Sequence, residues 1–372
     1  MFIDPIEFKT FLRLQQNPLL KVSDIAEKLG ITFYKANKAY NSLFEKELVK
    51  GISSVISPRS LNLERHEVMF EISKYKSVLQ VEEILKKHNY TRYHSRYTLG
   101  STRGIYAQFD IPTNCKNFLI ELSEKLKDIQ CVDKFKFLEK GDVVATTGIN
   151  LKYINWESLN WNFDTAEWFK TKIKKVINCD EDKNSISSNG QKINDIDLWI
   201  LRSLSKNAMF SNIDILKDIE KETKELLGKK REKDLSTISR RLKYVKDNYI
   251  SDNQLLINNK LFNLSTQIMF NVTIADDVRD KLCQKMKQQP LPFRSALTET
   301  KTGFRWLIRC PSEYISELTN YIWKWEPTEM SVFYLMPESK LYWFYPLNYD
   351  VLENSWKDSY EHFFEPIQKL IN

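Results

Sequence analysis

The chain has 372 residues, 42% hydrophobic and 13% aromatic, which excludes a wholly disordered protein. At roughly 100–200 residues per domain, this length predicts about two to four domains. The net charge of +7 is modest, and most of it lies in residues 229–247, although such a run is most often a solvated helix face. The five cysteines form no C-x-x-C pair, and neither a signal peptide nor a bilayer-spanning apolar stretch is recognisable. We therefore expect a reduced, cytoplasmic protein.

The sequence indicates an internal duplication, with residues 1–140 and 193–338 as two copies of one unit. The matching segments, first copy then second, are Ile3–Phe8 and Ile193–Leu198, Asn17 and Asn207, Asp24 and Asp214, Val68–Phe70 and Ile268–Phe270, and Gly104–Pro112 and Gly303–Pro311. A repeat of this length predicts duplicated domains, because the repeats of a solenoid are far shorter, roughly 20–50 residues.

The first copy opens with three predicted helices. Asn17-Pro18 should end the first, Ser23 should cap the second, Gly30 suits a left-handed C-cap, and Thr32 should cap the third. Helix, helix, tight turn and helix is the helix-turn-helix arrangement, and the segment 48–57 predicts the two strands of a wing.

The second copy repeats this order. Its predicted helices cover 196–206, 212–227 and 236–248. The turn before the third helix carries an insertion of about a dozen residues, which includes the basic stretch 229–233.

An α+β unit follows in each copy. The predicted elements of the first are strands 66–74, 91–99, 104–111 and 131–138 and helices 77–88 and 116–128. The second shows the same order between strands 266–274 and 330–336. The order βαββαβ is the ferredoxin-like split βαβ. The predicted fold class is therefore α+β, with two copies of a winged helix-turn-helix plus a ferredoxin-like βαββαβ domain.

Each copy ends in an aromatic segment. Packing against the sheet or across a domain interface is a better prediction for it than a ligand or base box, because aromatic rings supply large buried area. The predicted divisions are winged helices 1–60 and 193–263, α+β domains 61–140 and 264–338, aromatic tails 141–177 and 339–372, and a polar linker 178–192.

This order of domains resembles the Lrp/AsnC (feast/famine) family of prokaryotic transcription regulators, in the tandem form found in archaea. Asp197–Leu201 is similar to the opening helix of the family, and Ser236–Val245 to its recognition helix, with Arg241 where the family carries an arginine. In the first copy this position is Ala39. The resemblance implies binding of double-stranded DNA and α+β domains that pair, either within one chain or in a homodimer.

The resemblance also bears on effectors. Family members that sense amino acids use a turn with Gly and Asp between the second and third strands of the α+β domain. The corresponding segments, Gly100–Gly104 and Thr300–Gly303, lack the Asp. We therefore expect no amino-acid effector, and the identity of any small-molecule effector stays open.

The candidate DNA-binding residues lie on or before the third helices. In the second copy Ser236, Thr237, Arg240, Arg241 and Lys243 are expected to lie away from the inner face, where arginine can contact guanine bidentately. Phosphate contacts are expected from Lys229, Lys230 and Arg231, and the first copy offers Tyr34, Lys35, Asn37, Lys38 and Asn41. The alternative is a polar helix face that touches nothing.

Catalytic motifs are missing from the sequence. The four histidines are scattered, and there is no H-E-x-x-H, P-loop or G-x-S-x-G, so we expect neither an enzyme nor a bound metal or cofactor. The leading hypothesis is a sequence-specific transcription regulator that binds an asymmetric site, strongly through residues 193–263 and weakly through residues 1–60. The alternatives are a small-molecule-sensing module and a protein-interaction scaffold of the transcription machinery.

Overall fold

The computed structural model describes residues 3–171, 193–228 and 235–371. The fold class is confirmed: both copies consist of three helices and a strand followed by a βαββαβ unit. The predicted linker 178–192 and the basic residues Lys229, Lys230 and Arg231 lie outside the described residues.

The first winged helix begins with a capping box. The side chain of Asp4 accepts bonds from backbone amides of the first turn, and Glu7 bonds back to the amide of Asp4. Gly30 ends the second helix with φ 63°, as predicted, and Thr32 caps the third. Ser23 does not cap the second helix, because the helix already begins at Val22. The elements are α1 Pro5–Gln16, α2 Val22–Leu29, α3 Phe33–Glu45 and β1 Val49–Ile56.

The first α+β unit and its tail follow. Their elements are β2 Leu63–Glu71, α4 Tyr75–Lys87, β3 Thr91–Leu99, β4 Thr102–Pro112, α5 Lys116–Asp128, β5 Lys134–Phe137, β6 Asp142–Thr147 and α6 Thr165–Lys170.

The second copy repeats the order with small shifts in length. Its elements are α7 Asp195–Lys206, α8 Asn212–Leu227, α9 Leu235–Tyr249, β7 Ile250–Ile257, β8 Thr266–Thr273, α10 Asp276–Gln288, β9 Arg294–Glu299, β10 Gly303–Cys310, α11 Glu313–Trp323, β11 Glu329–Leu335, β12 Lys340–Leu341, β13 Tyr349–Asp350, β14 Ser355–Trp356, α12 Tyr360–Phe364 and α13 Gln368–Ile371. No helix among the described residues is long and apolar enough to cross a bilayer.

Two glycines correct the alignment of the copies. A Cβ on Gly104 would come within 1.8 Å of the Phe70 carbonyl oxygen, and a Cβ on Gly303 within 2.0 Å of that of Val272. Both positions require close approach of two backbones, so they are equivalent. Phe70 therefore corresponds to Val272, and the predicted match of Val68–Phe70 with Ile268–Phe270 is wrong by two residues.

The predicted two-stranded wing is also wrong. The segment 48–57 forms the single strand β1, which pairs antiparallel with β7 of the second copy. The Oγ of Ser53 donates to the Ser205 carbonyl 2.6 Å away, and the Ala208 amide donates to the Ile52 carbonyl, so β1 is also bonded to the end of α7. One shared ribbon thus joins the two winged helices.

The two α+β units form one antiparallel sheet of ten strands, in the order β5-β2-β4-β3-β11-β8-β10-β9-β6, with β12 beside β3. The pairing is within the chain: β11 of the second copy pairs with β3 of the first, and β6, from the first tail, pairs with β9. The sheet curls so that the inner faces of its halves meet, where Met69, Tyr106 and Met269 share one apolar cluster.

The tails cross between copies. Trp161 of the first tail donates its indole N–H to the Phe262 carbonyl, and Trp356 of the second tail donates to the Leu61 carbonyl. One core joins the first α+β unit to the second winged helix and C-terminal tail, and another joins the second α+β unit to the first winged helix and tail. The two halves of the chain are therefore interlocked.

Candidate functional sites

The third helix of the first copy presents a polar and aromatic face. Tyr34 is 76% exposed, and Lys35, Lys38 and Asn41 are exposed beside it, whereas Asn37 is half-buried. The inner face holds Ala36, Ala39 and Leu43 in the core. This surface is therefore accessible to a partner.

The third helix of the second copy exposes fewer of the predicted residues. Ser236, Arg240 and Lys243 are exposed, and Thr237 is half-buried. Arg241 is the exception, because it is 7% exposed. Its Nε and Nη2 donate to the two carboxylate oxygens of Asp197, at 2.7 and 2.5 Å. The expectation that Arg241 points away from the inner face is wrong, because a fully buried carboxylate on α7 requires its charge.

The first copy makes the corresponding contact with a different cation. Glu7 is the third residue of α1, as Asp197 is of α7, and its carboxylate lies 2.7 Å from Lys46 Nζ. Burial opposes ionisation of Glu7, but the bonds from Lys46 and Ser42 outweigh it and lower its pKa. In both copies the first helix is thus tied by an ion pair to the third helix or its end.

A second group of charged residues lies between the two halves of the sheet. Arg305 is buried there, and it forms an ion pair with Glu67 of the first copy and donates to the Glu139 carbonyl, 3.1 Å away. The phenol of Tyr106 and the amide of Gln108 also donate to Glu67. The charged groups at the centre of the inner face, Arg305 and Glu67, are therefore paired with each other.

On the side of the first copy, the inner face ends in a corner where a carboxylate lies between two arginines. Asp110 accepts two bonds from Arg65, at 2.7 and 2.8 Å, and lies 3.9 Å from Arg92. Burial lowers the pKa of Arg92 to about 10, although Asp110 opposes this shift. Aromatic residues of the C-terminal tail, Phe344 and Tyr345, cover this corner and leave a cavity of only about 20 Å³.

The corresponding corner of the second copy holds arginines without a carboxylate. Arg309 pairs across the strands with Arg294, and Gln267 stands where the first copy has Arg65. Arg309 donates to the amide oxygen of Gln267, and Arg294 to that of Gln254, 3.0 Å away. Within the described part of the chain, neither arginine has an acidic side chain within 4 Å.

The local electrostatics of this corner are unfavourable for two cations. Arg294 is accessible to water, yet surrounding protein atoms and Arg309 together lower its pKa, and burial likewise lowers that of Arg309. Tyr93 reaches the same place from the first copy, and its buried hydroxyl has no hydrogen-bond partner among the described residues.

Neither arginine is among the binding residues predicted from the sequence. Arg294 and Arg309 are isolated basic residues in alternating strands, and no motif marks them. The sequence does contain one indication of this site. When the segments Gly104–Pro112 and Gly303–Pro311 are aligned, Arg309 falls at the position of Asp110. A reversal of charge at an inward-facing position of a repeat indicates two different environments.

Comparisons with known proteins show a similarity of fold to solved structures, but no family match. A scan against family models finds no match, and a search of curated proteins finds none either. Among solved structures, the siroheme decarboxylase NirDL matches with 12% identity and a TM-score of 0.53, over 98% of both chains. The same enzyme in co-complex with an iron-uroporphyrin III analogue gives a TM-score of 0.54 over 98% of both chains, again at 12% identity. An AsnC family transcriptional regulator from Agrobacterium tumefaciens covers 41% of this chain and 99% of its own, with 14% identity and a TM-score of 0.32.

The expectation that the chain is not an enzyme is wrong, because an enzyme shares its architecture from end to end. Missing catalytic motifs therefore do not exclude catalysis in this fold. The chain consists of two interlocked copies of a winged helix and an α+β unit, and its overall fold is similar to that of the siroheme decarboxylase NirDL.

Proposed function

We propose that this chain is a sequence-specific DNA-binding transcription regulator that reads DNA with two unequal third helices. The observation that carries the proposal is the accessible polar face of both helices, Tyr34, Lys35 and Lys38 on α3 and Arg240 and Lys243 on α9. Lysine and arginine on such faces neutralise phosphates, and arginine can also pair with guanine. Arg241 supports the second helix by fixing it to α7.

The two faces favour an asymmetric site. Arg240 supplies a base-reading donor in the second copy, whereas the first copy offers Asn37, Asn41 and Tyr34, of which asparagine pairs best with adenine. We propose that the second winged helix binds the stronger half-site and the first an adenine-tolerant one. The shared β1–β7 ribbon sets the spacing between them.

The test compares two doubly substituted chains. Arg240→Ala with Lys243→Ala should weaken binding to a selected duplex at least tenfold and relax its sequence preference. Lys86→Ala with Lys87→Ala removes the same charge from exposed positions of α4 and should leave binding nearly unchanged. Binding is measured by fluorescence anisotropy at two salt concentrations, because phosphate contacts are salt-dependent. Equal losses in the two variants would contradict specific reading by α9.

A matched substitution tests the first copy. Lys35→Ala with Lys38→Ala should reduce affinity for all duplexes to a similar degree and flatten the salt dependence. A footprint confined to one half-site in the wild-type chain would contradict the proposed use of both helices.

A second candidate function is catalysis on a carboxylated tetrapyrrole. The observation that favours it is the full-length likeness to a siroheme decarboxylase, including its co-complex with an iron-uroporphyrin III analogue. The test is titration of the chain with iron-uroporphyrin III, followed by its absorbance and by analysis of the product for lost carboxyl groups. No spectral change at a saturating concentration of protein would remove this candidate.

A further inference from the structure

The open corner of the second copy contains an unbalanced charge. Arg294 and Arg309 lie opposite each other on β9 and β10 and donate only to the neutral amides of Gln254 and Gln267 among the described residues. Arginines brought together and partly desolvated without an anion are unfavourable in an unliganded protein. Groups held in this way cluster at functional sites.

The first copy shows which chemical group can bind arginines at the equivalent corner. There Asp110 occupies the place of Arg309, and its carboxylate holds the guanidinium of Arg65 bidentately beside Arg92. A planar carboxylate therefore fits between arginines at this corner of the fold. In the second copy no described residue supplies such a carboxylate.

The geometry points to a binding site for a small molecule that bears carboxylates, with Arg294 and Arg309 as its anchors and Tyr93 as a further donor. The site goes beyond DNA binding and does not depend on it, and it could also serve the second candidate function. Its residues come from both copies, since Tyr93 belongs to β3 and the arginines to β9 and β10.

The donors favour a carboxylate over other groups. The guanidinium fork matches the two oxygens of a carboxylate, and a phenol adds a third bond. The hydroxyl of Tyr93 is buried and lacks a partner within the described chain, so a ligand oxygen would satisfy it. With two cations present, a ligand with two or more carboxylates is favoured over one with a single charge.

The same site contacts the ribbon between the winged helices. Gln254, the partner of Arg294, lies on β7, opposite Ser53 on β1. A carboxylate bonds a guanidinium more strongly than an amide does, and it competes with Gln254 for Arg294. Binding of a carboxylate at Arg294 is therefore expected to release this contact with the ribbon.

The experiment uses citrate as a tricarboxylate probe, with triethyl citrate as the uncharged control and inorganic phosphate as a second anion. Binding to the full chain is measured by calorimetry. Citrate should bind, triethyl citrate should not, and phosphate should bind at least tenfold more weakly. Equal affinity for citrate and phosphate would overturn the carboxylate assignment, and binding of neither would overturn the site.

Three variants locate the probe. Arg294→Gln and Arg309→Gln should each weaken citrate binding at least about tenfold, the size of one lost charged hydrogen bond, and Tyr93→Phe should weaken it less. Arg59→Gln removes the same charge at an exposed ion pair and should bind as the wild type does. Circular dichroism checks folding, and Tyr93→Phe, which keeps both charges, still tests the site should an arginine variant misfold. Unchanged binding in the Tyr93 and both arginine variants overturns the proposal, whereas loss of DNA binding alone leaves it standing.

Discussion

The two copies use the same positions with opposite charge. In the first copy Asp110 forms ion pairs with Arg65 and Arg92, and aromatic residues of the C-terminal tail close the corner. In the second copy Arg309 takes the place of Asp110 and faces Arg294 without a counter-charge in the described chain. Duplication has thus produced one corner that contributes to folding and another that is suited to an anion.

The winged helices differ in a related way. The first copy joins Glu7 to Lys46, which is one-third exposed, and the second joins Asp197 to Arg241, both buried. The second pair is therefore more costly to break, because neither charge can return to water while the domain remains folded.

The largest expected effect comes from this buried pair. Arg241→Ala leaves Asp197 without a partner and should reduce the free energy of unfolding by about 3–5 kcal/mol. Lys46→Ala removes the equivalent cation of the first copy and should cost roughly 1–2 kcal/mol, because Lys46 is partly hydrated. Urea unfolding monitored by circular dichroism measures both. Equal losses would contradict the difference in burial between the copies.

The closed corner should be the next most sensitive. Asp110→Ala leaves Arg65 and Arg92 close together without a carboxylate and should destabilise the fold by about 2–3 kcal/mol. Arg309→Ala at the equivalent position removes an uncompensated cation and should cost less than about 1 kcal/mol. A loss from Arg309→Ala that matches the loss from Asp110→Ala would show that Arg309 has a stabilising partner.

The two copies should also differ in how acid affects their stability. His88 ends α4 where Gln289 ends α10, and its ring packs on Phe363 of the C-terminal tail. Burial lowers the pKa of His88 from 6.5 to about 3. The unfolded chain therefore binds a proton that the folded chain excludes between these values, so stability is full above pH 6.5 and falls as the pH drops.

This effect should amount to about 2 kcal/mol at pH 5, at roughly 1.4 kcal/mol per pH unit. His88→Gln introduces the residue of the second copy and should remove this part of the acid sensitivity, whatever its effect at pH 8. Unfolding curves at pH 8, 6.5 and 5 provide the measurement. An unchanged slope in the variant would assign the acid sensitivity to other groups.

The smallest effect is expected from converting the open corner into a copy of the closed one. Arg309→Asp should pair with Arg294, stabilise the fold by less than about 1 kcal/mol because Arg294 is accessible to water, and abolish citrate binding. Arg309→Asn is the neutral control, expected to lose citrate binding without the gain in stability. Retained binding in Arg309→Asp would show that Arg294 alone holds the anion.

Much of the architecture could be predicted from local patterns. The helix bounds around Gly30, Thr32 and Gly228 follow from capping chemistry, and α5 and β3 match their predicted ranges. The predicted wing failed because a strand pattern does not say which strand will pair with it, and the partner of β1 is roughly 200 residues away.

The sites were less accessible to sequence reasoning. Arg240 and Arg241 are neighbours of the same residue type in one helix, so the sequence does not distinguish them. In the structure Arg241 faces Asp197, whereas Arg240 faces water. Arg294 and Arg309 acquire meaning only when the sheet places them opposite each other and Tyr93 arrives from the other copy. Contacts of this range depend on the tertiary fold, for which a single sequence has no local signal.

The core that is shared between the two copies constrains the order in which the chain can fold during synthesis. Phe11 packs against Phe262, and the first winged helix shares its core with the second α+β unit. At about 5–20 residues per second, a ribosome makes that partner surface on the order of ten to forty seconds after the first winged helix. The first domain to emerge therefore waits with part of its apolar surface exposed, a period in which a chaperone, or the same segment of a neighbouring nascent chain, can bind it.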